Sequence, residues 1–156
     1  METTTETVTI ERELEIAARP ETVWEFLVDP EKATRWMGTT ASFDARPGGE
    51  YRVEVIPGHT ARGEFVELDP PHRLVYTFGW EPGGDGVSSV PPGGSTIEIE
   101  LTPSGSGTSL RFTHRDLPGT DSADSHGHGW DHYLARLAVA VPGGDPGVDP
   151  WVSGEM

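Results

Sequence analysis

Residues 121–141, with the sequence DSADSHGHGWDHYLARLAVAV, decide the fold. Four large apolar residues in this stretch recur at the spacing of one helical face. They are Trp130, Leu134, Leu137 and Val141. The sequence Pro142-Gly143-Gly144 then ends the pattern, so the stretch predicts a long helix near the C-terminus with one face made to lie on a sheet.

Two small residues, Gly127 and Ala138, lie on the same helical stripe. Small side chains leave volume between a helix and the surface that it covers. We therefore expect a cavity between this helix and its sheet, because a strongly curved sheet rarely closes completely on one helix.

The chain before this helix alternates between apolar and polar residues, as strands do. The first strand covers residues 7–16, and the clearest one covers residues 74–80, with four large side chains on one face. Mixed parity within residues 61–68 indicates a bulge. The remaining strands are expected near residues 39–45, 51–55, 97–101 and 110–115.

Two short helices are expected between the first two strands. Pro20 fits a first helical turn, and Asp29-Pro30 ends that helix and begins another that ends at Gly38. The order of elements predicts an α+β domain, in which a curved antiparallel sheet of about seven strands surrounds the long C-terminal helix. Residues 1–142 form this single domain, and we expect residues 143–156 to be a disordered tail.

Composition excludes several classes of function. The net charge of −15 would repel nucleic acid and anionic membranes, so neither is an expected partner. The chain has no cysteine, which excludes disulfides and thiolate metal sites and fits a reducing compartment. Its acidic, polar start lacks the features of a signal peptide, and no stretch is apolar enough to span a membrane, so we expect a cytoplasmic protein.

Arg12 and His114 are the polar candidates for the expected cavity, since strand parity places each among inward-facing apolar residues. An unpaired polar group is costly there, so each needs a partner or a ligand. Structural partners and ligand contact both remain open. No serine or second histidine is placed by the sequence to complete a nucleophile, so we assign no catalytic residue.

Large apolar side chains would supply the lining of the cavity, although many aromatic residues in a small domain are simply core. The candidates are Trp36, Tyr51, Phe65, Tyr76, Phe78, Trp80, Phe112, Trp130 and Leu134. Residues 81–94, rich in Gly, Pro, Ser and Asp, form a long loop that is either a gate over the cavity or an ordinary hairpin loop.

The helix also carries Asp124, His128 and His132 one turn apart, a spacing that suits metal ligands. Helical geometry turns these side chains about 90° to 170° away from the apolar stripe, toward the flank or the solvent. With no evident fourth ligand, an adventitious surface site is favoured over a physiological one. We expect neither a metal nor a cofactor.

Several phrases, in this order, make the chain resemble the START-like (SRPBCC) helix-grip superfamily, and within it the proteins similar to the C-terminal domain of the Hsp90 ATPase activator. They are residues 18–24 (ARPETVW), 29–36 (DPEKATRW), 47–52 (PGGEYR), 63–75 (GEFVELDPPHRLV), 113–114 (TH) and 129–134 (GWDHYL). The resemblance implies a cavity that in relatives holds lipids, polyketides, hormones or other apolar molecules. It implies no fixed reaction.

These observations favour a binding protein that carries or sequesters a small, mostly apolar molecule, or protects the cell against one. Two alternatives stay open: an enzyme of the polyketide cyclase or hydrolase type, and a protein-interaction module linked to a chaperone. An Hsp90-type partner is not expected, because the chain lacks the separate N-terminal domain of the true co-chaperone. Both a monomer and a homodimer fit the sequence.

Overall fold

The computed structural model describes residues 7–81, 93–147 and 149. Seven strands are present: β1 Thr7–Ile16, β2 Thr40–Phe43, β3 Glu50–Ile56, β4 His59–Asp69, β5 Arg73–Phe78, β6 Ser95–Ser104 and β7 Gly107–Pro118. Three helices are present: α1 Pro20–Val28, α2 Pro30–Ala33 and α3 Gly119–Ala140.

The strands form one antiparallel sheet in the order β1-β7-β6-β5-β4-β3-β2. The sheet curves around α3, which packs closely against β1 and β7. The predicted α+β helix-grip architecture is therefore confirmed, including the two short helices after β1. Pro20 occupies the first turn of α1, and the Asp29 side chain accepts a hydrogen bond from the Glu31 N–H at 2.9 Å to cap α2.

The face of α3 that was predicted to be apolar is the buried face. The large residues of its stripe are each at most 5% exposed, and they join the main core of the domain. The helix begins at Gly119, two residues before the predicted start, which is within the usual uncertainty of helix ends.

Two bulges change which side chains face the helix. The predicted irregularity in β4 lies between Phe65 and Glu67. A second bulge sets two residues of β7 against one of β1, and within it Asp116 has the left-handed φ of 68°. The extra residue shifts the parity of β7, so that His114 and Leu117, three positions apart, are both fully buried.

Residues of the segment after α3 contact the flank of this helix. Asp149 is buried, and its carboxylate contacts Nε2 of His132 at 2.9 Å and accepts a hydrogen bond from the hydroxyl of Tyr133 at 2.8 Å. Arg136 Nη1 also donates to the backbone oxygen of Pro146 at 3.2 Å. Polar groups on the flank of α3 therefore contact Pro146 and Asp149, while the disordered tail expected from residue 143 onward stays a prediction.

We expect Asp149→Ala to lower the free energy of unfolding by about 1–3 kcal/mol, since the buried carboxylate and its contacts with His132 and the Tyr133 hydroxyl are removed. The matched control is Asp145→Ala, in the same segment, where the carboxylate is exposed and accepts only a local backbone hydrogen bond. That change should cost about 0.5 kcal/mol or less. Equal urea midpoints for the two variants would show that the segment does not stabilise α3.

Candidate functional site

Ten of the eleven predicted site residues are brought together between the sheet and α3. Eight belong to one buried cluster, against which Trp80 packs, and His114 contacts three of its rings. The eight are Trp36, Tyr51, Phe65, Tyr76, Phe78, Phe112, Trp130 and Leu134. Arg12 is the exception and lies apart from this cluster.

The rings of the cluster contact one another. Tyr51 stacks on Tyr76 with 4.3 Å between ring centroids, and Trp130 lies 4.6 Å from Phe112 and 5.7 Å from Phe78. These separations are typical of favourable aromatic pairs. The space between α3 and the middle strands is thus spanned by side chains from both layers.

His114 lies at the centre of this layer and makes two hydrogen bonds. Its Nδ1 accepts from the indole N–H of Trp130 at 3.0 Å, and its Nε2 lies 2.7 Å from the Ser95 hydroxyl oxygen. Ser95 in turn donates to the backbone oxygen of Phe78 at 2.7 Å. Ser95 is a partner that the sequence did not predict, since nothing in its local sequence connects β6 to His114.

The donors in this series of hydrogen bonds, from Trp130 through His114 and Ser95 to Phe78, fix the position of each proton. An indole N–H can only donate, so Nδ1 of His114 is unprotonated and Nε2 carries the proton. Nε2 therefore donates to Ser95 and cannot remove its proton, as the histidine of a serine nucleophile must. Ser95 and His114 form a satisfied structural pair, which counts against hydrolase chemistry at this position.

The protonation state of His114 follows from its surroundings. Burial, together with the nearby His126, lowers the pKa of His114 to about 3. The two imidazole rings meet edge to face, with 5.4 Å between their centroids. His114 is consequently neutral at physiological pH, and protonating it would disrupt the Trp130 hydrogen bond.

His126 connects α3 to the end of the clearest predicted strand. Its Nε2 accepts a hydrogen bond from the indole N–H of Trp80 at 3.1 Å. Trp80 pairs with Ala61 and packs against both the main cluster and a smaller apolar cluster of Ile10, Leu117 and Ala123. The contact was not predicted, because the histidines of α3 suggested only a surface metal face.

Arg12 lies at the edge of the layer rather than inside it. Its side chain is 37% exposed and forms an ion pair with Asp131 of α3, with 2.5 Å between Nε and Oδ1. Arg12 pairs with the buried Phe112 of β7 and its guanidinium approaches Gly127 of α3, so its side chain lies on the helix-facing side of β1, while its charged end extends along the helix to reach this carboxylate and stays partly exposed. A Cβ atom on Gly127 would lie 2.9 Å from Arg12 Nη2, so the guanidinium already occupies part of the volume that Gly127 leaves.

An open cavity of about 420 Å³ lies between β1 and α3 beside this ion pair. Apolar residues on both elements line it, and the charged residues of its lining carry more negative than positive charge. The lining residues are Val8, Thr9, Ile10, Glu11, Arg12, Ala123, Asp124, Gly127, His128 and Asp131. We call this cavity the β1–α3 cleft.

The three candidate metal ligands on α3 differ in exposure. Asp124 and His128 are exposed, as predicted, but His132 is partly buried and contacts Asp149. Within the described ranges, no group of three or more histidine and acidic side chains is arranged to hold a metal ion. The gate proposed for residues 81–94 falls mainly on residues 82–92, outside the described part of the chain; Glu81 forms an ion pair with Arg52.

A curved antiparallel sheet around a long C-terminal helix, with an aromatic layer between them, defines a START-like helix-grip protein. The model of the family described as activator of Hsp90 ATPase homolog 1-like protein matches residues 17–141. The chain belongs to this family, as the resemblance predicted.

Solved structures agree with this assignment. An AHSA1-like protein from Rhizobium etli is 47% identical, with a TM-score of 0.75, over 97% of this chain and 92% of that one. The Aha1 dimer from Colwellia psychrerythraea is 20% identical, with a TM-score of 0.74, over 88% of this chain and 98% of that one. DynU16, a protein of the dynemicin biosynthetic locus, is 23% identical, with a TM-score of 0.69, over 88% of this chain and 48% of that one.

The last two structures, at 20% and 23% identity, show the same fold. A comparison with curated proteins finds no match. Among the described residues, none of the helices is both long and apolar enough to cross a membrane.

Proposed function

We propose that this protein binds a small, mostly apolar molecule between its sheet and α3, in the cytoplasm, as a carrier or by sequestration. The observation that carries the proposal is the β1–α3 cleft, which opens the layer between helix and sheet at the edge that holds Arg12. Most of its lining is polar or charged, but its apolar side chains, Val8, Ile10 and Ala123, belong to the smaller apolar cluster, against which Trp80 also packs. Small-molecule sites are typically concave and combine apolar contacts with polar groups that fix the orientation of the ligand.

Each part of the cleft has a distinct role in this proposal. Val8, Ile10 and Ala123 supply apolar contact area, and the Arg12–Asp131 pair orients a polar end of the ligand at the mouth. Neither a cofactor nor a metal has a role in this binding.

Protection against a toxic metabolite is one form that such binding could take. A neighbour of the same fold, DynU16, comes from the dynemicin biosynthetic locus. A protein-interaction role is the second candidate function, favoured by the family description, which names the Hsp90 ATPase activator, and by the dimer in the Colwellia structure.

A hydrolase role has less support, because His114 carries its proton on the nitrogen that faces Ser95.

The variant Gly127→Leu tests the cleft. The new side chain would enter the cleft and displace Arg12 from Asp131, and we expect it to lower the affinity for Nile red, an uncharged apolar dye, by about tenfold. Stability should change by about 1 kcal/mol or less, because leucine favours the helix over glycine and the lost ion pair is exposed. Fluorescence titration and the urea midpoint measure the two effects.

Gly129→Leu is the matched control, since a Cβ atom at Gly129 meets nothing within 4 Å. It makes the same change in helix propensity on the same helix and should leave the affinity for Nile red unchanged. If wild-type protein fails to bind the dye, or if both leucine variants bind it equally well, the cleft is not the binding site.

A further inference from the structure

The first strand, β1, forms one edge of the sheet. Within the described residues it pairs with β7 on one side and stands first in the strand order, so no strand lies on its other side. With ten residues it is much longer than β2, the four-residue strand at the opposite edge. The backbone groups of every second residue along this free edge therefore have no strand to pair with, and such an edge is a template for an added strand.

Two observations show that the free edge of β1 is accessible. The backbone oxygen of Glu11 accepts a hydrogen bond from Arg12 Nη1 at 2.9 Å, which places this oxygen at the free edge. A carbonyl oxygen accepts two hydrogen bonds, so it can also accept from an added strand. In addition, the consecutive residues 8–12 all line the β1–α3 cleft. Because their side chains alternate between the two faces of the sheet, the cleft borders the backbone edge itself.

The side chains beside this edge carry negative charge that no described residue neutralises. Glu11 and Glu13 are exposed on the face of the sheet opposite α3, and neither forms an ion pair within the described part of the chain. On the same face, Arg73 of β5 forms ion pairs with three glutamates of β4 and β6. The arginines of this face thus neutralise its middle strands and leave the edge acidic.

The acidic row disfavours a second copy of this chain at the edge. Antiparallel pairing of two β1 strands about Glu13 would set this residue against its own copy and Glu11 against Glu15. Like charges directly opposite each other destabilise a sheet, and charged residues on an edge strand protect it from self-association. The same charges attract a strand that has a basic residue at every second position.

We propose that the free edge of β1 binds an extended, basic segment of another protein as an added antiparallel strand. The backbone groups of Glu11 and Glu13 pair with the segment, and its lysine or arginine side chains lie opposite the two carboxylates. Backbone hydrogen bonds supply affinity in this mode of recognition, and side chains supply specificity. The inference goes beyond the proposed binding of a small molecule and does not depend on it.

An eight-residue peptide of alternating lysine and threonine, acetylated and amidated at its ends, tests this surface. Its matched control carries N-methyl groups on the lysines, which keeps every charge but removes the N–H groups that would face Glu11 and Glu13. Calorimetric titration at about 150 mM salt screens long-range attraction to the acidic protein. Wild-type protein should bind the unmodified peptide about tenfold more tightly, because the control loses backbone hydrogen bonds.

The double variant Glu11→Gln with Glu13→Gln tests the charged pairs. It should bind the unmodified peptide about fivefold more weakly, since two cross-strand pairs of opposite charge are lost. The control, Glu21→Gln with Glu31→Gln, makes the same change in net charge at exposed residues of α1 and α2. This second variant should bind the peptide as wild-type protein does.

Three results would contradict the proposal. Equal binding of the two peptides by wild-type protein would show that charge alone attracts them, and no binding of the unmodified peptide would remove the partner altogether. Equal affinities of the two double variants would show that the edge glutamates do not contribute. Slow amide exchange along β1 in a dimer of the wild-type protein would instead assign the edge to a second copy. Each of these outcomes leaves the proposed binding in the β1–α3 cleft standing.

Discussion

Replacing Trp130 with alanine is expected to lower the free energy of unfolding by about 3–5 kcal/mol, because a large core side chain is removed and a cavity is left. Trp130 is 4% exposed and touches the aromatic rings of two strands, Phe78 of β5 and Phe112 of β7. The change also removes the N–H that Nδ1 of His114 accepts. Urea unfolding at neutral pH measures the loss.

The control Trp130→Phe separates the packing contribution from the hydrogen bond. Phenylalanine keeps an aromatic ring between the layers but cannot donate to His114, so we expect a loss of about 1–3 kcal/mol. If alanine costs no more than phenylalanine, the ring contacts contribute little, and the layer between helix and sheet is loosely packed. That result would support a larger internal cavity than the structure contains.

Local sequence pattern was sufficient to predict most of the fold. The alternating pattern that precedes Trp130 and the helical period around it identified the sheet and the helix. The order of the strands and helices along the chain then identified the architecture. The mixed parity around Phe65 correctly indicated a bulge. The bulge in β7 was not predicted, since nothing in the sequence around Asp116 indicates that this residue lies in a bulge opposite β1 and takes a positive φ.

The predicted aromatic lining was gathered in one cluster because each member lies on the inward face of its element. The partners of the polar residues could not be predicted in the same way. Ser95 and His114 are 19 residues apart, and Arg12 and Asp131 are 119 apart. Such pairs depend on strand order and on where α3 crosses β1, which local periodicity does not specify.

Arg12 shows how side-chain length limits an argument from strand parity. Parity fixes the direction of its Cβ, but a long side chain can turn along the surface and keep its charge in water. Gly127 makes this path possible, since a Cβ there would lie against the guanidinium. Gly127, which suggested a cavity, therefore also leaves room for the Arg12–Asp131 ion pair beside the β1–α3 cleft.

Acid should destabilise this protein through His114 before most carboxylates are protonated. Burial lowers the pKa of His114 from its ordinary value of 6.5 to about 3, so between these values the unfolded chain binds a proton that the folded chain does not. The stabilisation is fully present above pH 6.5 and is lost as the pH falls toward 3. At about 1.4 kcal/mol per pH unit, the loss is on the order of 4 kcal/mol by the end of this range.

His114→Gln isolates this contribution, because glutamine does not titrate and its amide can still accept from Trp130 and donate to Ser95. The variant is expected to be less stable than wild type at pH 7.5, with a difference that shrinks as the pH falls from about 6.5 toward 4. Ionisable groups that do not contact His114 contribute equally to both proteins and cancel in the comparison. Urea unfolding at several pH values measures the two curves, and parallel curves would mean that His114 gains its proton equally in the folded and unfolded states.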